Sequence, residues 1–179
     1  MRAEYKGNQL SAVEKEMVWE ILCLCDEDFY PPLSARNSSS QKNLKDTGVC
    51  SVEEKPTVYY EEMIQQYFIL AYEEDEVVGF MTFKQDYECE ALKEFGVSLY
   101  ITTVCVKKEK RGQGIMKALY QVMEQEVAAA CGCKRISTRT WSLNDAQIHE
   151  LSKRGYDKLC VLKDDRGPGV DTVYFGMAL

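Results

Sequence analysis

Apolar residues recur along the chain at two different periods, and the switches between them mark out its elements. Val13, Met17, Val18, Ile21, Leu24 and Cys25 recur every three or four residues behind a Ser11-x-x-Glu14 capping box. That spacing predicts a first helix ending near Asp28. Phe29-Tyr30-Pro31-Pro32-Leu33 stops it, because consecutive prolines lack N–H donors and force extended backbone. The polar, serine-rich stretch from Ser34 to Pro56 reads equally as a disordered surface loop or as a loop over an acceptor mouth. Thr57 to Gln66 predicts a short second helix. Tyr67–Tyr72 and Val77–Phe83 predict a hairpin about the charged turn Glu73–Glu76, with Asp86 to Glu94 as a connection. Val97 to Val106 is rich in β-branched residues. Ile115, Leu119, Val122, Met123, Val127 and Ala130 then form one helical face, with Gly132 placed to end it. Lys134–Thr140 predicts a strand parallel to 97–106, since a helix joins the two. A short helix over 144–154 with Asn144 near its N-cap, then strands 156–162 and 171–177, complete the pattern. The first ten residues carry no clear periodicity, and a short strand there is only allowed.

Charge narrows the partners. The chain has 179 residues, 22 Lys and Arg against 29 Asp and Glu, and a net charge of −7. An acidic balance argues against nucleic acid or an anionic membrane as partner. The polar start lacks an apolar stretch long enough for a signal peptide or a membrane span, so the expected location is cytoplasmic. Eight cysteines sit mostly in apolar runs. Cys23-x-Cys25 and Cys131-x-Cys133 lack zinc-like spacing, so reduced thiols and no metal are expected.

Against that acidic background, the junction after the 97–106 strand is locally basic. Lys107, Lys108, Lys110 and Arg111 surround a turn containing Gly112 and Gly114, and Lys117 follows one helical turn later. A helix start offers unpaired N–H donors and partial positive charge, while glycines allow close backbone approach, so the junction suits a phosphate ligand. The P-loop pattern fails at Met116-Lys117-Ala118, and the dinucleotide pattern fails at Lys117, where it needs glycine. What remains is Arg111-Gly112-Gln113-Gly114-Ile115-Met116. This resembles the acyl-CoA signature of the GNAT N-acetyltransferases, with Met116 standing where the family usually has a small residue. A second feature agrees: Asn144 is followed by Lys153, Gly155 and Tyr156, although the family's internal tyrosine is Leu151 here.

The resemblance implies an α/β fold, a mixed and mainly antiparallel sheet of six or seven strands flanked by about four helices, its central parallel strands splayed. All 179 residues are expected in one acyl-CoA N-acyltransferase domain, with 1–66 as a helical and loop acceptor-side region and 67–179 as the sheet and cofactor-binding core. It implies acetyl-CoA as co-substrate and a small-molecule or peptide amine as acceptor, with a homodimer left open. The pyrophosphate would lie on Arg111, Gly112, Gln113, Gly114, Met116 and Lys117. Backbone groups of Val104, Cys105 and Val106 would align the pantetheine arm, and Asn144 would bond it from the other strand. Family members of the histone-modifying branch carry a glutamate base where this chain has Tyr100. Tyr100 is taken as the substitute for the missing thiolate acid, ahead of His149 and Ser152, and Asp26 and Asp28 are the better-placed bases. Pro31–Arg36 and Arg166–Thr172 are expected to border the acceptor. Cys105 has apolar flanks and no histidine neighbour, so it reads as a packed residue rather than an acyl carrier. Leu151 and the missing base keep a non-catalytic acyl-CoA sensor as the rival reading.

Overall fold

A computed structural model of the chain describes residues 1–46 and 55–179. The strands are β1 (Arg2–Gly7), β2 (Tyr67–Glu73), β3 (Glu76–Tyr87), β4 (Ser98–Val106), β5 (Arg135–Trp141), β6 (Asp157–Leu162) and β7 (Thr172–Ala178). The helices among the described residues are α1 (Ala12–Cys25), α2 (Thr57–Met63), α3 (Ile115–Val122) and α4 (Asp145–Lys153). The strands form one seven-stranded sheet in the order β1-β2-β3-β4-β5-β7-β6. Every neighbouring pair is antiparallel except β4 and β5, which α3 joins by a crossover. This is the mixed sheet the sequence resemblance implies.

Two apolar layers follow from the period-two alternation of the strands. Ile69, Val78, Met81, Leu99, Ile101 and Ile136 face α3 and the turn after it, where Leu119, Met123 and Val127 meet them, and Leu151 of α4. The opposite face presents Phe68, Leu70, Phe80 and Cys105 to Val18, Ile21 and Leu22 of α1 and to Tyr59 and Met63 of α2. Each fully buried side chain of this size contributes about 1.5–3 kcal/mol. α1 begins as its box predicts, with the Ser11 side chain accepting from Glu14 N–H at 3.2 Å and Ser11 N–H donating to the Glu14 carboxylate at 2.8 Å. After Val122 the helical path runs through a wide π turn, Met123–Val127, and a last turn, Ala128–Ala130. The extra residue of that turn lets Val122, Met123, Val127 and Ala128 all be buried.

Two open readings are resolved and one boundary is revised. The first residues do form a strand, β1, on the sheet edge. β3 runs on to Tyr87, taking in the start of the expected connection. The described part of the 31–56 stretch is packed: Leu33, Arg36, Ser39 and Leu44 are buried. Residues 47–54 of that stretch lie outside the described residues.

Candidate active site

The sheet opens at its centre. β4 and β5 pair only at Leu99, Tyr100 and Ile101 with Ile136, Ser137 and Thr138, although β4 continues to Val106 and β5 to Trp141. Beyond Ile101 each strand stays paired only on its outer side, β4 to β3 and β5 to β7. The splay leaves a cavity of about 660 Å³, walled by Thr102 to Val106 on one side and Thr138 to Trp141 on the other. Its ends reach the turn before α3 and the 28–39 segment after α1.

At the first end, Gly112 and Gly114 have φ of +76° and +82°, a region that disfavours any residue with a Cβ. A Cβ built at either meets no atom within 4 Å, so the space above the turn is open. Gly114 is the N-cap of α3 and supplies no side-chain cap, which leaves the first N–H groups of the helix available to a ligand. The cations of the turn are less available than the sequence suggested. Lys107 bonds Glu76, Lys110 bonds Glu73, Lys108 lies 3.5 Å from Asp28, and Arg111 bonds Asp28 at 2.6 Å. Lys117, which lines the cavity, has no ion-pair partner among the described residues. The turn therefore fits a pyrophosphate through backbone donors and Lys117 more than through a free basic cluster.

Of the residues the resemblance implies for the cofactor, Val104, Cys105, Val106, Arg111, Gly112, Gly114, Met116, Lys117 and Asn144 all line the cavity. Gln113 does not: its side chain turns back to donate to Glu109 O at 3.3 Å. Asn144 caps α4 by accepting from Gln147 N–H at 3.3 Å, and donates to Thr140 Oγ1 at 3.1 Å. Leu151 is fully buried in the α3-side layer, so no acid group stands there. His149 and Ser152 are exposed and off the cavity wall. Tyr100 requires a correction as a proton donor to the thiolate. It is fully buried, stacked on Tyr87 at 4.1 Å, and absent from the cavity wall. Burial drives its phenol well above the ordinary range, and its hydroxyl bonds no protein group among the described residues.

Cys105 and Cys25 approach each other beneath β4. Burial pushes the Cys105 thiol up, which supports a packed role. Cys25 is held below the ordinary thiol value by the Cys105 hydrogen bond, and the Arg111 guanidinium acts in the same direction against burial. Asp26 is committed to Ser34, accepting from its N–H at 2.6 Å and its hydroxyl at 2.8 Å. Asp28 and Glu150 line the cavity.

The other end of the cavity holds residues that sequence reasoning only partly found. Arg36 and Arg166, from the two proline-bearing segments, both line it, together with Phe29, Ser39, Arg139 and Trp141. Arg139 was not singled out from the sequence. Its alternation with Ile136, Thr138 and Thr140 on β5 puts it on the opposite sheet face, which in the sequence reads as solvent-facing and is covered here by the 30–41 segment.

The profile of the acetyltransferase (GNAT) family matches residues 26–156, most of the chain, including the turn and both walls of the cavity. The chain belongs to this family. Solved structures agree in fold across almost their whole length. An aminoglycoside 6'-N-acetyltransferase complexed with coenzyme A is 18% identical with a TM-score of 0.69, over 99% of this chain and 97% of its own. An N-acetyltransferase from Staphylococcus aureus Mu50 is 15% identical with a TM-score of 0.65, over 99% of both chains. A ribosomal-protein-alanine N-acetyltransferase from Brucella melitensis is 15% identical with a TM-score of 0.63, over 100% of both chains. At these identities the likeness establishes the fold, not the acceptor. No curated protein matches the chain in sequence.

Proposed function

We propose that this GNAT protein transfers the acetyl group of acetyl-CoA to a primary amine of a small molecule or peptide. The observation that carries the reading is the continuity of one cavity from the uncapped, glycine-lined start of α3, past the unpaired edge of β4, to a second polar chamber. The first end suits a pyrophosphate and the β4 edge a pantetheine amide chain, which leaves the far chamber for an acceptor. The bound thioester supplies an activated acetyl carbon and a thiolate leaving group. The acceptor nitrogen bonds that carbon as the C–S bond breaks, and the nitrogen sheds a proton. The chain's own part is to align the two reactants, polarise the carbonyl through a β4 N–H near Val104, and receive the proton. A lysine-like amine is neutral only about once in 2,500 at pH 7, a deficit of roughly 4.6 kcal/mol, so proton removal matters. Asp28 is the assigned proton acceptor, because it lines the cavity while Asp26 is buried against Ser34; the Arg111 guanidinium that bonds it at 2.6 Å must first release it, which a phosphate at the turn favours by drawing on Arg111. Thiolate departure needs less help, since a thiol of pKa about 8.5 is only about 2 kcal/mol from ionised at pH 7. The seven described cysteines are all free, which supports a reducing, cytoplasmic setting.

Thermal melting with acetyl-CoA tests the cofactor half. At ligand near 100 times Kd, stabilisation of about 2.7 kcal/mol should raise Tm by roughly 5–10 °C, and ATP should not reproduce it. No shift with acetyl-CoA would falsify the reading. A full shift without turnover of any amine would instead favour the acyl-CoA sensor, the rival that Leu151 keeps open.

A further inference from the structure

The far chamber is built around three arginines that form no ion pair with any carboxylate among the described residues. Arg36 and Arg166 are 5% and 4% exposed, Arg139 is partly buried, and all three line the cavity. Their protein partners are neutral. Arg36 donates through Nε and Nη2 to Pro31 O, at 3.0 and 2.7 Å. Arg166 donates through Nε to Thr172 Oγ1 at 3.0 Å and through Nη1 to Tyr30 O at 2.7 Å. Arg139 donates through Nη2 to Ser39 O at 3.2 Å and Gln41 O at 2.8 Å, and through Nη1 to the Tyr174 hydroxyl at 3.5 Å. Nη1 of Arg36, Nε of Arg139 and Nη2 of Arg166 donate to no protein acceptor among the described residues. No carboxylate there bonds any of the three: Asp26 accepts from Ser34 and Asp165 from the Thr172 hydroxyl at 2.6 Å, and each offsets one arginine only from a distance, Asp26 for Arg36 and Asp165 for Arg166.

Anchoring the 30–41 segment explains the carbonyl bonds but not the charges. A neutral donor such as glutamine would serve that purpose, whereas buried, unpaired cations cost several kcal/mol each. Burial lowers Arg36 to about 10 and Arg166 to about 9, with Arg139 pushing both the same way, whereas Tyr100 and Tyr174 hold Arg139 itself above its ordinary value against burial. The unpartnered, fully buried Tyr100 hydroxyl lies within electrostatic reach of all three guanidiniums. Aromatic faces complete the chamber, with the Arg36 guanidinium 5.7 Å from the Phe29 ring and that of Arg166 5.6 Å from Trp141. Three guanidiniums lining one chamber, each with one nitrogen that bonds no described protein group, are the chemistry that recognises a planar or tetrahedral oxyanion.

Building on the acetyl-transfer reading, we propose that Arg36, Arg139 and Arg166 form an oxyanion subsite, and that the acceptor is an amine that also carries a carboxylate or phosphate group. The same cations aid the reaction, because positive charge near the bound ammonium favours its neutral, nucleophilic form. A polycationic acceptor of the kind named for the aminoglycoside enzyme would meet repulsion here.

The test is thiol release from acetyl-CoA with paired amines: amino acids against their C-terminal amides, and amino-sugar phosphates against the free amino sugars. The carboxylate and phosphate arms separate the two oxyanion sources. At least one anionic member should exceed its neutral partner in kcat/KM by 30-fold or more, and Arg139→Gln should erase most of that ratio. Arg139→Lys, which keeps the charge but loses the fork, should restore only part. As a readout independent of turnover, protein saturated with CoA should gain melting temperature with inorganic phosphate or succinate at constant ionic strength, and the Arg139→Gln variant should not. Neutral or polycationic amines turning over as well as anionic ones, or CoA-saturated protein indifferent to both anions, would overturn the subsite while leaving acetyl transfer standing. No melting response to acetyl-CoA would instead strike at the transfer reading itself.

Discussion

Lys117, Gly114 and Asp28 line the cavity and Tyr100 lies buried behind it, so substitutions at the four should have separable effects. Lys117 is the turn's uncompensated cation among the described residues, so Lys117→Ala should raise the acetyl-CoA Kd about three- to tenfold, readable by calorimetry. Gly114 sits at φ +82° beneath open space. Gly114→Val should cost 1 kcal/mol or somewhat more in stability, roughly 2–4 °C in Tm per kcal/mol, and abolish the acetyl-CoA shift because the branched side chain fills the phosphate's space. Asp28→Asn should lower kcat at pH 7 by about 100-fold, while acetyl-CoA still protects against melting. Tyr100→Phe should behave differently. Removing a buried hydroxyl that bonds no protein group and does not reach the cavity should leave Tm unchanged or raise it by a few degrees, with kcat and KM both unaltered. A fall in kcat with unchanged KM would return Tyr100 to the chemistry. These roles were unevenly legible. The glycines and the helix start stood in contiguous sequence, but Arg36, Arg139 and Arg166 are brought together only by the packing of two loops against β5.

Elements were readable where their burial was one-sided and regular. α1, the β2–β3 hairpin, α3 and α4 stand where periodicity placed them, because each has one face in a core layer. β1 was not readable: Arg2-Ala3-Glu4-Tyr5-Lys6-Gly7 is a half-exposed edge strand whose position depends on pairing with β2 rather than on its own alternation. Glu14 ties these first elements together, bonding Tyr72 of β2 and lying 2.9 Å from Lys6 of β1. Burial pushes its carboxyl up, yet hydrogen bonds from Tyr72, Lys6 and Ser11 outweigh this and hold it at about 2. A carboxyl depressed on folding contributes stability that is full above the ordinary value of about 4.5 and is lost as pH falls toward 2. Glu14→Gln should therefore lower the urea midpoint at pH 7, and the gap to wild type should narrow between pH 4.5 and 2. A gap that is constant with pH would show that the carboxylate's charge is not the source.

For the whole molecule, the β4–β5 splay decides what the fold can do. A fully paired sheet would close the cavity, and the turn before α3 would then be an isolated anion site with no route to an acceptor. With the splay, one cleft links the uncapped helix start to the arginine chamber, and helices on both faces hold its walls in place. Among the described residues no helix is long and apolar enough to cross a membrane, and no cluster of His, Cys, Asp and Glu is placed to hold a metal ion. The most direct measurement is simultaneous detection of free CoA thiol and acetylated amine by mass spectrometry across a panel of amines. The account expects thiol and N-acetyl product to appear in equal amounts, with Gly114→Val abolishing both. Acetyl-CoA bound but never consumed, or thiol released without any N-acetyl product, would contradict it.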